Sequence, residues 1–183
     1  IRNLLLLACA ANVVHSSHMT RRADLRRRRN DEYKTRVVDV AKLVSAAVER
    51  MLEDLSKLPP ELPATQKVSE DARELDTQYS NAFDFAITSP PYLNGTNYFR
   101  NTKLELWYLN FIASESELSS HCQKAISAGI NNVSKSRPVG FAFPFVEDAV
   151  ATLEKCAGDQ RIPLMVRQYF SDMYQVLQVV HRS

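Results

Sequence analysis

At 183 residues the chain has the length of one domain and enough apolar side chains for a real core. Its apolar and charged fractions, 45% and 24%, are those of an ordinary globular protein. No run reaches the roughly 18 apolar residues of a membrane span, which excludes a helical membrane protein and points to a cytoplasmic chain with no membrane partner. The net charge of +2 hides an asymmetry: residues 1–60 carry 12 Lys+Arg against 7 Asp+Glu, the remainder 11 against 14.

Residues 1–14 read as a short apolar helix, too brief and too poorly flanked for a signal peptide. The stretch "RRADLRRRR" (21–29) places six arginines in nine positions. From about Thr20 to Leu58 the pattern predicts one long helix. Val37, Val40, Ala41, Val44, Ala47, Val48, Met51, Leu52 and Leu55 recur at spacings of three and four, with charges opposite. Such a helix serves as an insertion packed on a globular body or as an arm through which copies associate. "LPPELP" (58–63) ends it, because residues preceding proline avoid the helical region.

Beyond this arm the character changes. A short strand is expected over 66–69, then a polar turn and one helical turn, then a buried strand from Phe83 to Thr88. Further helices are predicted over 100–113, over 115–128 with a Ser114/Glu117 capping box and an end at Gly129, over 145–157, and from about Pro163 to Arg182. Cys9, Cys122 and Cys156 are odd in number and form no C-x-x-C, which fits thiols in a reducing compartment better than disulfides or zinc. The four histidines have no metal-ligand spacing, and no metal is expected.

The chemistry concentrates in "TSPPYLNGTNYFR" (88–100). Pro90 and Pro91 have no N–H and hold their predecessors extended. The corner therefore offers carbonyl acceptors without matching donors. Ser89 adds a hydroxyl and Tyr92 a flat ring, which together suit a planar ligand bearing an amino group.

"FDFAITSPPYLNGTNYFR" resembles the target-amine motif of the S-adenosylmethionine-dependent DNA amino-methyltransferases, (Ser, Asn or Asp)-Pro-Pro-(Tyr, Phe or Trp) after a hydrophobic strand. "SEDAREL" (69–75) is similar to the acidic segment that precedes that strand in some members. "YFSDMYQVLQVVHRS" (169–183) is similar to the helix leading into the family's next strand. The resemblance covers about 68–112 and 165–183. It implies an α/β fold: a partial Rossmann-like class I methyltransferase domain over 64–183, behind a mostly helical arm or insertion over 1–63. No Gly-rich cofactor turn is present, so the chain reads as part of a catalytic domain, without methyl transfer on its own.

The implied activity is site-specific methylation of double-stranded DNA, cytosine N4 favoured and adenine N6 next, in a restriction-modification setting with a cognate endonuclease as a further partner. S-adenosyl-L-methionine is the implied cofactor, with Asp71 a candidate contact. Ser89, Pro90, Pro91 and Tyr92 are the implied catalytic corner. Ser89 Oγ and the Pro90 carbonyl would accept both N–H bonds of an extruded base, and Tyr92 would stack on it. Tyr98 and Arg100 are candidate pocket or phosphate contacts. Arg26, Arg27, Arg28 and Arg29 form a basic stripe suited to neutralising phosphates. Two alternatives stay open: an RNA guanine-N2 methyltransferase, and a non-catalytic nucleic-acid-binding or assembly module.

Overall fold

A computed structural model describes the chain except for residues 22–24, 35 and 96 and the side chain of Tyr33. Two compact units result: residues 1–64 with 96–120, and residues 65–95 with 121–183. Residues 96–120 thus pack with the amino-terminal segment.

In the first unit, helix α1 (Arg2–Ser16) packs against α3 (Val40–Ser56) and α4 (Tyr98–Tyr108). Small side chains set these approaches, with Ala8 and Ala10 on α1 and Ala47 on α3 all buried. Asn12 is buried among them and donates from Nδ2 to the Ala8 carbonyl at 2.9 Å. Asp39 caps α3 by accepting from the Lys42 amide at 3.0 Å, and Asn97 caps α4 by accepting from the Arg100 amide at 3.0 Å. α4 ends in a Schellman closure. Asn110, at φ 60°, donates to the Trp107 carbonyl at 3.1 Å, and Phe111 donates to Leu106 at 2.9 Å. Asparagine tolerates that left-handed position better than most residues.

The described residues of the arginine-rich stretch are not helical. Two short strands pair antiparallel, β1 (Met19–Arg21) and β2 (Leu25–Arg27), with Thr20 opposite Arg26. A short helix α2 (Asn30–Tyr33) follows. The predicted helix from Thr20 to Leu58 is therefore reduced to its second half, α3. Tertiary partners outweigh local propensity here. Leu25 is buried, Arg21 is captured by α4 through the Asn101 carbonyl (2.6 Å) and Glu105 (2.5 Å), and Arg26 is held by Glu32.

In the second unit, α6 (Pro144–Cys156) and α7 (Arg161–Arg182) pack against each other. Pro144 opens α6 at a position whose N–H would have no helical partner, and Pro163 sits in the first turn of α7 for the same reason. Val146, Val150 and Val166 form the core, with Leu93, Phe143, Leu153 and Phe170 packed on it. Phe141 and Phe143 meet the Tyr174 ring edge-on, with centroids 4.6 and 5.2 Å away. Single 3-10 turns lie at Thr77–Tyr79 and Ile130–Asn132. Helix α5 (Glu115–Lys124), whose residues up to Ser120 belong to the first unit, stops short of the expected end, and Gly129 begins the second 3-10 turn instead.

The expected α/β, Rossmann-like class I methyltransferase fold is overturned. The described residues are mostly helical, and their one sheet is the β1–β2 pair in the first unit. Residues 66–69 are irregular, and the expected buried strand Phe83–Thr88 is unpaired and exposed. Phe83, Phe85 and Ile87 are 49%, 90% and 101% accessible. A strand requires neighbours to take its N–H and C=O groups. No other segment of the second unit supplies a ladder for it among the described residues. No described helix is long and apolar enough to cross a membrane.

Candidate functional site

The segment carrying the serine, prolines and tyrosine is fastened at both ends and bare between them. At its start, Asn81 (φ 53°) donates to the Arg182 carbonyl at 3.0 Å, and the Ala82 and Phe83 amides donate to the Ser183 carbonyl at 2.5 and 3.0 Å. At its end, the Gly95 amide donates to the Tyr92 carbonyl at 2.9 Å, closing a turn, and Asn94 (φ 56°) donates to the Ala128 carbonyl at 2.6 Å. Positive φ at the third position of the turn fits asparagine or glycine. A Cβ on Gly95 would lie 2.9 Å from the Tyr92 carbonyl oxygen and 3.1 Å from the Tyr92 Cβ, so only glycine allows this closure. Leu93, inside the turn, packs on the Val146–Val150–Val166 core.

Between these anchors, residues 84–91 form no backbone hydrogen bond among the described residues. Ser89 and Pro90 are exposed, Pro91 is half-buried, and the Tyr92 ring is 72% accessible. At the corner, Pro90 and Pro91 have no N–H, and the Ser89 hydroxyl and the Tyr92 ring are open to solvent. The corner lacks walls. Four clefts stand out in the surface, and none is lined by residues 84–92.

Asp71 is held elsewhere. Both its oxygens accept from Arg73, from Nε at 2.9 Å and from Nη2 at 2.6 Å, and the Arg73 amide adds a third bond at 2.9 Å. These hydrogen bonds, ahead of the opposing desolvation, keep its carboxyl below the usual aspartate range. A cofactor hydroxyl would have to displace Arg73. The four glycines are scattered at 95, 129, 140 and 158, so no phosphate- or sulfonium-cradling turn forms. The residues described do not fit S-adenosylmethionine.

Tyr98 and Arg100 are exposed on the first turn of α4 and belong to the other compact unit from Ser89–Tyr92. Of the basic stripe, Arg27 and Arg29 are exposed. Arg26 is bound bidentately by Glu32 at 2.8 and 2.7 Å. Arg28 is half-buried, with an Nε that no acceptor among the described residues reaches. The four arginines are therefore not one uniform face.

One group of residues escaped the sequence reading. On α7, Gln168, Ser171 and Asp172 are buried at helical spacings of three and four. Asp172 accepts from Arg73 (3.2 Å), Arg137 (3.1 Å) and the Ser127 amide (3.0 Å). Gln168 donates to the Ser134 and Arg137 carbonyls at 2.7 and 2.9 Å. Ser171 Oγ accepts from the Gly140 and Phe141 amides at 3.0 and 3.1 Å. These bonds pin the loop over residues 125–141 to the helix. The signal was visible as polar residues inside the apolar stripe from Met165 to Val180. No family model, curated protein or solved structure matches the chain.

Proposed function

We propose that Ser89–Tyr92 grips the exocyclic amine of a nucleobase, and that the chain supplies the base-holding part of a DNA amino-methyltransferase, cytosine N4 favoured and adenine N6 next. The observation that carries this reading is the exposed corner itself, whose two prolines lack N–H donors, held by Leu93 and the Asn94–Gly95 turn. Ser89 Oγ and the Pro90 carbonyl accept the two N–H bonds of the amine. That draws the nitrogen toward a pyramidal shape and frees its lone pair. Tyr92 stacks on the extruded ring, whose removal from a duplex costs roughly a few kcal/mol. The methyl donor has no site among the described residues, so the reading assigns this chain the base side of the reaction alone. The Ser89 form of the motif favours cytosine over the Asp-Pro-Pro-Tyr corner of RNA guanine-N2 enzymes.

The test compares single-stranded oligonucleotides containing cytosine with the same strands carrying N4,N4-dimethylcytosine, which has no amine hydrogens. Preference for cytosine in the unaltered chain, lost in Ser89→Ala, with both strands weakened alike in Tyr92→Ala, is expected. Equal binding of both strands by the unaltered chain, or a preference undiminished in Ser89→Ala, removes the proposal. A second reading, a non-catalytic nucleic-acid-binding piece, is favoured by the absence of walls around the corner. Incubation of the whole gene product with labelled S-adenosylmethionine and DNA, then digestion to nucleosides, separates the two. N4-methylcytosine or N6-methyladenine supports the enzyme; an unlabelled digest beside intact cytosine preference supports the binding piece.

A further inference from the structure

The first unit holds a cleft lined by Ala11, Val14 and His15 of α1, Thr20 and Arg21 of β1, and Arg28 just beyond β2. Its charge is not balanced. Arg21 is offset by Glu105 at 2.5 Å. Arg36, close by, donates to the Ser17 carbonyl at 3.0 Å and to the His15 carbonyl, and meets no carboxylate among the described residues. Among the same residues the Arg28 side chain has neither a carboxylate nor a carbonyl, and its Nε is shut away from solvent and unbonded. Its own amide is tied to the His18 carbonyl at 2.7 Å, so the backbone fixes the side chain's root beside the cleft. A buried guanidinium N–H without an acceptor is unfavourable, and native structures rarely leave one so. An anion in the cleft would meet the outer guanidinium nitrogens of Arg28 rather than the enclosed Nε, and would offset its uncompensated charge.

We propose that this cleft is a phosphate site, with Arg28 as its principal ligand and the Thr20 hydroxyl as a second donor. The occupant is a phosphodiester of a nucleic-acid strand or a free phosphate ester. A guanidinium fork matches tetrahedral phosphate oxygens in pairs. The buried Val14 side chain keeps water from one side of the bond, which strengthens it. The basic stripe thereby divides by role. Arg26 is structural through Glu32, Arg27 and Arg29 lend a diffuse screened attraction, and Arg28 makes the single directed contact. The site does not depend on whether Ser89–Tyr92 grips a base, and its failure leaves that reading untouched.

The experiment uses the full chain and two probes, inorganic phosphate and a fluorescein-labelled duplex of about a dozen base pairs. Thermal unfolding is followed with and without phosphate, and duplex affinity by anisotropy across a salt series. Variants are Arg28→Ala, Arg28→Lys and, as an exposed control, Arg27→Ala. Without ligand, Arg28→Ala is expected to melt at or above the unaltered temperature, because the orphaned donor is gone. Expected for Arg28→Ala is loss of the phosphate-induced rise in Tm and about a tenfold loss of duplex affinity, with the salt slope reduced by about 1. Arg27→Ala is expected to lose about twofold, and Arg28→Lys to keep part of the Tm rise. A Tm rise with phosphate but no duplex binding supports the free-ester source. Duplex binding that weakens equally in Arg27→Ala and Arg28→Ala overturns the site, as does the absence of any response to either probe.

Discussion

Two regions of the second unit treat their polar groups in opposite ways. Along α7, Gln168, Ser171 and Asp172 are buried and bonded, with Asp172 alone receiving two guanidiniums and an amide. Along residues 84–91, carbonyls and amides face outward with no internal partner, beside apolar rings that are equally uncovered. The first region spends its bonding capacity on holding the loop over residues 125–141. The second keeps its capacity for something outside. Stability is therefore expected to be concentrated in one region and recognition in the other.

The sharpest way to break that comparison is Asp172→Ala. It takes a carboxylate from two half-buried guanidiniums, leaving Arg137 with neutral acceptors among the described residues, and strands the Ser127 amide, and a loss of roughly 3 kcal/mol in urea unfolding is expected. A loss below about 1 kcal/mol would mean that the network is ornamental. Val150→Ala, in the core beneath Leu93, is expected to cost roughly 2 kcal/mol by the same measurement.

Acid supplies the next contrast. Asp71 is held below its ordinary 3.8 by Arg73. Its stabilisation is complete above the unfolded value and disappears as pH falls through the lower folded one. Arg73→Ala removes that depression, so its stability is expected to vary less with pH below about 4 than that of the unaltered chain.

The smallest effect belongs to the bare segment. Phe85→Ser with Ile87→Ser is expected to change stability by no more than about 0.5 kcal/mol. Chymotrypsin is expected to cut after Phe85 before it cuts within α6 or α7, as mass spectrometry of a brief digest would show.

Helix positions were readable because their signals are local. The stop at "LPPELP" and the apolar pattern of the last helix each mark a boundary or a face without help from distant residues, whereas the start of α3 at Asp39 was missed. The β1–β2 pair was not readable, because its strands are rich in arginine, a good helix former. Their pairing depends on Glu105 and the Asn101 carbonyl, some eighty positions away in sequence. The strand expected at 83–88 failed for the complementary reason. Its alternating apolar pattern is real, but a pattern specifies a strand only where a neighbour exists to bond it. The chemical character of Ser89–Tyr92 follows from proline and glycine geometry and was legible. The lack of walls around it, and the capture of Asp71 by Arg73, are tertiary facts.

The fastening of residues 81–83 to the end of α7, and of Leu93 and Asn94 to the core and Ala128, makes the stretch between them a suspended span rather than a loose tail. Much of the loop-closure entropy is already lost before any visitor arrives, so association there is cheaper than for an untethered peptide of equal length. Tension from such a visitor would be felt at the two moorings. Slower hydrogen exchange at the Asn81, Ala82 and Asn94 amides would then report occupancy of a surface those amides never touch.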